Sequence, residues 1–147
     1  MIRDLEARIR RLEDRVMISE RVISYGLAVD RRDWAMFSNC FTDPVHVDYS
    51  GSGVPAADFT RDDLVDLVRD ALSGFTATQH LCPNHVIDFD EGDPDRAICH
   101  SAMYAQHHLE SPQGSELFLL RGSYTNHMLR TPDGWRIERL IQHVTWR

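Results

Sequence analysis

The stretch Ala97–Trp146, AICHSAMYAQHHLESPQGSELFLLRGSYTNHMLRTPDGWRIERLIQHVTW, decides the fold. It holds three long strand-like runs, Ala97 to Glu110, Glu116 to Leu129 and Trp135 to Trp146, separated by the turn signals Ser111-Pro112-Gln113-Gly114 and Thr131-Pro132-Asp133-Gly134. Pro and Gly supply the backbone angles of a tight reversal, so runs joined this way pair as consecutive hairpins in an antiparallel meander. Another run, Ala77 to Asp90, precedes them across Glu91-Gly92-Asp93-Pro94 and extends the same meander. Alternation splits the first of the three into two faces: His100, Ala102, Tyr104, Gln106 and His108 on one, Ser101, Met103, Ala105, His107 and Leu109 on the other. One of these faces lines the interior.

Upstream, the periodicity is helical. From Asp4 to about Asp30, Leu5, Ile9, Leu12, Val16, Ile23 and Leu27 recur at steps of three, four or seven, which marks one face of a long helix. The first half of this helix is otherwise charged and faces solvent or lies along a partner subunit. In the second half Ile18, Val22, Tyr25 and Val29 form a line on roughly the opposite side, so that half is expected to be covered on both faces. A short helix follows, Trp34 to Cys40, then a β-branched strand, Val45 to Tyr49, ended by Ser50-Gly51-Ser52-Gly53. A loop leads to a helix from Arg61 to Leu72, opened by Thr60 with Asp63 in the position of a capping box. Helices first and a long sheet afterwards is an α+β arrangement, a curved antiparallel sheet with the N-terminal helices on its concave side, in a single domain spanning residues 1–147.

Composition narrows the function classes. At 147 residues, 42% hydrophobic and 27% charged, the chain is an ordinary globular domain with enough length for a real core. A net charge of −7 provides no field for phosphate backbones, so nucleic acid is not an expected partner. No apolar run approaches the ~20 residues of a membrane span, and the N-terminus opens a charged helix where a signal peptide would be apolar; a membrane partner is not expected and the location is expected to be cytoplasmic. Cys40, Cys82 and Cys99 form no C-x-x-C pair and leave an odd thiol, which fits a reducing compartment and buried structural cysteines. Eight histidines exceed what the fold needs and point to chemistry.

Continuing the stripe from Ile23 and Leu27 by three residues reaches Asp30, an acid where an apolar side chain belongs. A buried lone carboxylate takes a proton or finds a partner; the alternative is a hydrated acid at a frayed helix end, or one capping nearby amides. His80 is the candidate partner, because it lies in the strand directly after the Arg61 to Leu72 helix, and alternation puts His80, Cys82 and Asn84 on one face unless Pro83 bulges the strand. A carboxylate on one imidazole nitrogen fixes the tautomer and leaves the other nitrogen free to take a proton, which makes a general base.

Asp30-Arg31-Arg32-Asp33-Trp34 at the end of the long helix, Phe41-Thr42-Asp43, Thr78-Gln79-His80 with Asn84 four residues on, Asp95-Arg96-Ala97 and Asp133-Gly134-Trp135-Arg136-Ile137 together resemble the SnoaL-like group of the nuclear transport factor 2-like superfamily. The resemblance covers nearly the whole chain and is greatest to the branch holding scytalone dehydratase, lindane dehydrochlorinase and bile acid 7α-dehydratase. It implies a cone: a curved, cystatin-like α+β barrel with a deep pocket. It also implies that Asp30 and His80 are the catalytic pair. Tyr25 resembles the tyrosine that precedes the aspartate in the bile acid enzyme, and Tyr49 a pocket tyrosine of scytalone dehydratase, which has a further tyrosine where this chain has Val29. His100 falls near a further pocket position of that branch. Five residues at about 100° each set Tyr25 and Asp30 some 140° apart on an ideal helix, so both reach one pocket only if the helix end is irregular.

Cys82, Asn84, Tyr104 and Asn126 are the expected substrate-binding groups. No metal is expected, since adjacent strand histidines such as His107 and His108 point to opposite faces and no H-x-x-x-H helix or Cys/His knuckle is present. No Gly-x-Ser-x-Gly elbow or phosphate loop exists either. The expected activity is therefore a cofactor-independent lyase, a dehydratase or related elimination, on a small hydrophobic cyclic substrate. The alternatives are an isomerase or cyclase using the same pair, or a non-catalytic ligand-binding or assembly module. The resemblance further implies a homo-oligomer, a trimer first and a dimer second.

Overall fold

A computed structural model describes residues Met1–Arg147. The order is α1 (Ile2–Arg31), α2 (Trp34–Ser38), β1 (Phe41–Tyr49), a 3-10 turn (Ser50–Ser52), β2 (Val54–Phe59), α3 (Arg61–Leu72), β3 (Ala77–Leu81), β4 (Val86–Phe89), β5 (Arg96–Ser111), β6 (Gly114–Thr131) and β7 (Gly134–Trp146). The strands form one open sheet in the order β2-β1-β7-β6-β5-β3, with β4 also paired to β5. The meander β5-β6-β7 is antiparallel, and β1 joins it parallel to β7. Gly114 and Gly134, at φ 128° and 100°, make the two hairpin turns, a backbone region from which a Cβ is largely excluded. Midway along β6 the pairing with β7 slips at Gly122, where a Cβ would collide with the His143 carbonyl. Such a slip bends a strand and helps curve the sheet around the helices.

The long β5–β7 hairpins and the Thr60 cap follow the sequence reading; Thr60 Oγ1 accepts the Asp63 N–H at 3.1 Å. Three elements differ. The run from Ala77 to Asp90 is two short strands, because Pro83 lacks an N–H and Asn84 sits in the left-handed region at φ 63°. The segment read as a loop after Gly53 contains β2, an edge strand whose mostly exposed side chains carry no hydrophobic alternation. The first strand begins at Phe41, four residues before Val45.

The second half of α1 is covered on one face and not on both as expected. The core side is Ile18, Val22, Tyr25, Ala28 and Val29, which pack with Phe37, Phe41, Tyr124, Trp135, Ile137 and Leu140, while Leu5, Ile9, Leu12, Val16, Ile23 and Leu27 face outward. Asp14 anchors the helix where it meets the sheet: its carboxylate accepts both Arg130 Nη groups at 2.7 and 2.8 Å and Trp135 Nε1 at 3.0 Å. Burial alone would raise this carboxyl, but the Arg130 and Trp135 hydrogen bonds outweigh it and hold its pKa below the ordinary value.

Candidate active site

Gly26 lies against β3, where a Cβ would stand 3.2 Å from the His80 carbonyl oxygen and 3.5 Å from Cys82 Sγ. The bare helix surface lets α1 approach the strand closely, and one turn later Asp30 meets it. Asp30 Oδ2 accepts the His80 backbone N–H at 2.7 Å, and Oδ1 accepts His80 Nδ1–H at 2.7 Å and the Thr78 hydroxyl at 3.0 Å. Thr78 Oγ1 in turn accepts Arg32 Nη1–H at 3.0 Å. Arg32 is placed for this as the left-handed cap of α1, at φ 55°. A carboxylate can only accept, so His80 carries its proton on Nδ1 and Nε2 is the free ring nitrogen. The His80 side chain is 8% exposed and that of Asp30 19%.

The His80 ring lines a cavity of about 330 Å³ inside the curved sheet. Its walls are mostly apolar, with Val29, Leu67, Leu72, Phe75, Phe118 and Leu120 prominent, while Ser52, Gln142 and Arg147 bring polar groups to it. Tyr25, Tyr49 and Tyr124 also line it, and the Tyr25 and Tyr49 hydroxyls are hydrogen-bonded at 2.9 Å. Burial pushes all three phenols well above their ordinary values, which makes them neutral hydrogen-bonding groups and poor proton donors. His107 is the second pocket imidazole, edge-on to His80 with ring centroids 5.5 Å apart. Its Nδ1–H donates to the Phe118 carbonyl at 3.2 Å. Burial, aided by repulsion from His80, lowers its pKa, so it is a neutral ring with Nε2 as acceptor.

Of the residues singled out in the sequence, the structure brings Asp30, His80, Tyr25 and Tyr49 together. Asp30 does so from the border of the buried face beside Gly26, since the Ile23–Leu27 line it was read from is the outward one. The 140° between Tyr25 and Asp30 is no obstacle. Tyr25 points into the cavity, Asp30 reaches β3 from the flank of the helix, and His80 spans the distance between them.

The other expected residues lie outside this cavity, although Cys82 and Asn84 line a second hollow with His80 beside α1. His100 and Tyr104 are on the outer face of β5, because the inward set is Ala97, Cys99, Ser101, Met103, Ala105 and His107. His100 is half-exposed, 3.4 Å from Thr125 Oγ1 and 3.7 Å from Asp88, and Tyr104 lies under the Arg121 guanidinium. Asn84 is exposed in the β3–β4 link, turned off the strand face by its left-handed backbone. Cys82 sits under α1 rather than on the cavity wall, with its thiol pushed up to about 12 by burial and the Asp30 charge. Asn126 is buried in the core beyond the cavity lining, with Oδ1 unpartnered like the Ser101 hydroxyl. The residues not foreseen are Thr78, His107 and Tyr124. His107 shares its strand face with Met103 and Ala105, and that apolar company is the signal that marks the interior side. No three His, Cys, Asp or Glu side chains converge as metal ligands, and no helix is long and apolar enough to cross a membrane.

The comparisons with known proteins agree with this architecture. The family model described as a SnoaL-like domain matches residues 10–141. An uncharacterized protein of Mycobacterium tuberculosis, Rv2910c, is 26% identical over 136 residues, covering 91% of this chain and 87% of the relative. The crystal structure of the Kfla4162 protein from Kribbella flavida is 28% identical and superimposes with a TM-score of 0.85 over 92% of this chain and 93% of that one. A hexachlorocyclohexane dehydrochlorinase, LinA Type2, shares the fold at a TM-score of 0.81 and 19% identity, over 94% of this chain and 89% of its own.

Proposed function

This chain belongs to the SnoaL-like domain family, and from that premise we propose that it is a cofactor-independent lyase that eliminates water or a related leaving group from a small, largely hydrophobic cyclic substrate. The observation that carries the reading is the His80–Asp30 contact: Nδ1 is held by a carboxylate at 2.7 Å and the ring lines an apolar cavity. A dehydrochlorinase among the structural neighbours gives the fold a precedent for elimination.

In this reading His80 Nε2 takes the proton from the carbon beside an activating carbonyl, and Asp30 stabilises the imidazolium that forms. The C–H electron pair becomes the new double bond as the C–O bond breaks. The tyrosines stay neutral, so one of the hydrogen-bonded Tyr25–Tyr49 pair donates to the carbonyl or leaving oxygen rather than protonating it, while the proton of the other holds the contact between them. The departing hydroxide then takes the proton that His80 holds, which closes the cycle with the base restored and water as the second product. His107, neutral and 5.5 Å from His80, accepts from a substrate hydroxyl through Nε2. The cavity of about 330 Å³ suits a one- or two-ring substrate.

The test is a screen of hydroxy-ketones, cyclic alcohols and halogenated rings, with the product alkene followed by absorbance or NMR. His80→Ala should abolish turnover of any substrate found while leaving its binding largely intact, since a general base contributes ~10²–10⁴ in rate. Turnover that survives His80→Ala, or a product that is an isomer of the substrate, overturns the reading.

A further inference from the structure

The outward face of α1 has a spacing of its own. Ile2, Ile9, Val16 and Ile23 recur every seven residues, and Leu5 and Leu12 follow the first two by three. The line is thus a heptad seam with β-branched residues at a and leucine at d. All six side chains are uncovered, between 47% and 77% exposed. The opposite side of the same helix, from Ile18 to Val29, is in the core, and every residue from 1 to 13 is exposed. An uncovered apolar line of this length marks a partner surface.

We propose that this seam joins two copies of the chain as a parallel two-stranded coiled coil over residues 2–23, with the two sheets on the outer sides of the helix pair. The flanking charges select that arrangement. In a parallel pair each g residue faces the e residue of the following heptad on the partner. Here g is Arg8 and Arg15, and the matching e residues are Glu13 and Glu20. An antiparallel pair would instead set arginine against arginine and glutamate against glutamate. Arg15 also reaches the Ile87 carbonyl at 3.4 Å within its own chain, so Arg8 with Glu13 is the cleaner cross-pair. β-Branched residues at a with leucine at d favour two strands, so the assembly is a dimer rather than the trimer that the family resemblance suggests.

Placement allows it as well. From Ile2 to Val16 the sheet covers none of the seam side chains, so neither body stands between the helices there. The seam ends at its C-terminal side where the d positions become Ser19, hydrogen-bonded to His85, and Gly26, packed on β3.

Sedimentation of the full chain at micromolar concentration should give twice 17.0 kDa. Leu5→Asp with Leu12→Asp should reduce this to the single-chain mass and leave the near-UV circular dichroism of the buried aromatics unchanged. Arg8→Glu and Glu13→Arg should each weaken association at low salt, and together they should restore it. Oxidised Ile9→Cys should yield a disulfide-linked dimer, because a parallel seam sets each a position beside its own copy. A single-chain or three-chain mass for the unmodified protein overturns the proposal. So does a dimer that survives Leu5→Asp/Leu12→Asp, a charge exchange that fails to restore association, or an Ile9→Cys chain that does not cross-link.

Discussion

Asp30 holds His80 at two points, the backbone N–H through Oδ2 and ring Nδ1 through Oδ1, both at 2.7 Å. The backbone contact fixes where β3 passes the end of α1, and the ring contact fixes which imidazole nitrogen is free. Asp30→Asn keeps an oxygen acceptor for one of these contacts but supplies no charge to an imidazolium, and its amide can turn to select the wrong tautomer. Turnover should fall by ~10²–10⁴. The double variant with His80→Ala should be scarcely slower than His80→Ala alone, since groups acting as one unit are not additive. Independent multiplicative losses would show Asp30 to be structural only.

Thr78 and Arg32 extend that contact away from the cavity, with Arg32 donating to Thr78 and Thr78 to Asp30, each at 3.0 Å. Thr78→Val keeps the shape and the β propensity but removes the donor. A hydrogen bond to a charged group contributes ~1.5–3 kcal/mol, so kcat should fall by roughly ten- to a hundredfold. KM should change little, because Thr78 does not line the cavity. Thr78→Ser should recover most of the rate, and equal losses in both variants would assign Thr78 a packing role.

Gly26 tests how closely α1 must lie on β3. Alanine is the better helix former by about 1 kcal/mol, but its Cβ would stand 3.2 Å from the His80 carbonyl oxygen. That oxygen is backbone within the β3–β5 ladder, so the strand itself must shift. Gly26→Ala should therefore leave the thermal midpoint within a few degrees while lowering kcat about tenfold, because small misplacements of a base are costly in rate. A variant with unchanged kcat would mean that β3 yields without disturbing the dyad.

His107 makes stability depend on pH. Its folded-state pKa is lowered by burial, so between that value and the ordinary 6.5 the unfolded chain binds the proton and the folded chain does not. The stability it contributes is fully present above pH 6.5 and is lost as the pH falls from there through the depressed value. Urea midpoints at pH 7.5 and 5.5 should differ less in His107→Leu than in the unaltered protein, and an equal difference would place the acid sensitivity elsewhere, His127 being the other histidine lowered by burial.

What the sequence discloses here follows from how local each signal is. The β5–β7 meander is legible because its turns carry Pro and Gly at the reversals and its strands are long. β2 is not, since an exposed edge strand needs no apolar alternation. On α1 the charged first half draws attention to the wrong stripe: Leu5 to Leu27 is the more regular line, yet Ile18 to Val29 is the one the sheet covers. Asp30 stands out as an acid continuing an apolar stripe, although that stripe is the outward one, and His80 as the histidine in the strand that follows α3. His100 and His107 lie seven residues apart, on opposite faces of β5, and only the placement of Met103 and Ala105 toward the core tells them apart. Thr78 has no such signal, because its role depends on Arg32 adopting a left-handed cap.

Tyr25 and Tyr49 separate activity from stability. Their hydroxyls bond to each other at 2.9 Å in a buried setting. Tyr25→Phe leaves the Tyr49 hydroxyl without that partner, and a buried polar group so stranded costs about 1–3 kcal/mol. Replacing both partners with apolar groups of the same shape is nearly neutral by comparison. Stability should therefore fall in either single variant and return toward the unaltered value in Tyr25→Phe/Tyr49→Phe, read from urea unfolding. Activity should follow the opposite order. Loss of the donor to the developing oxyanion costs on the order of 10²–10³ in kcat, so the double variant, which keeps neither hydroxyl, should be no faster than the slower single variant. If activity instead recovers with stability in the double variant, the two hydroxyls hold the fold and the substrate oxygen is bound by another group, with His107 the first to examine.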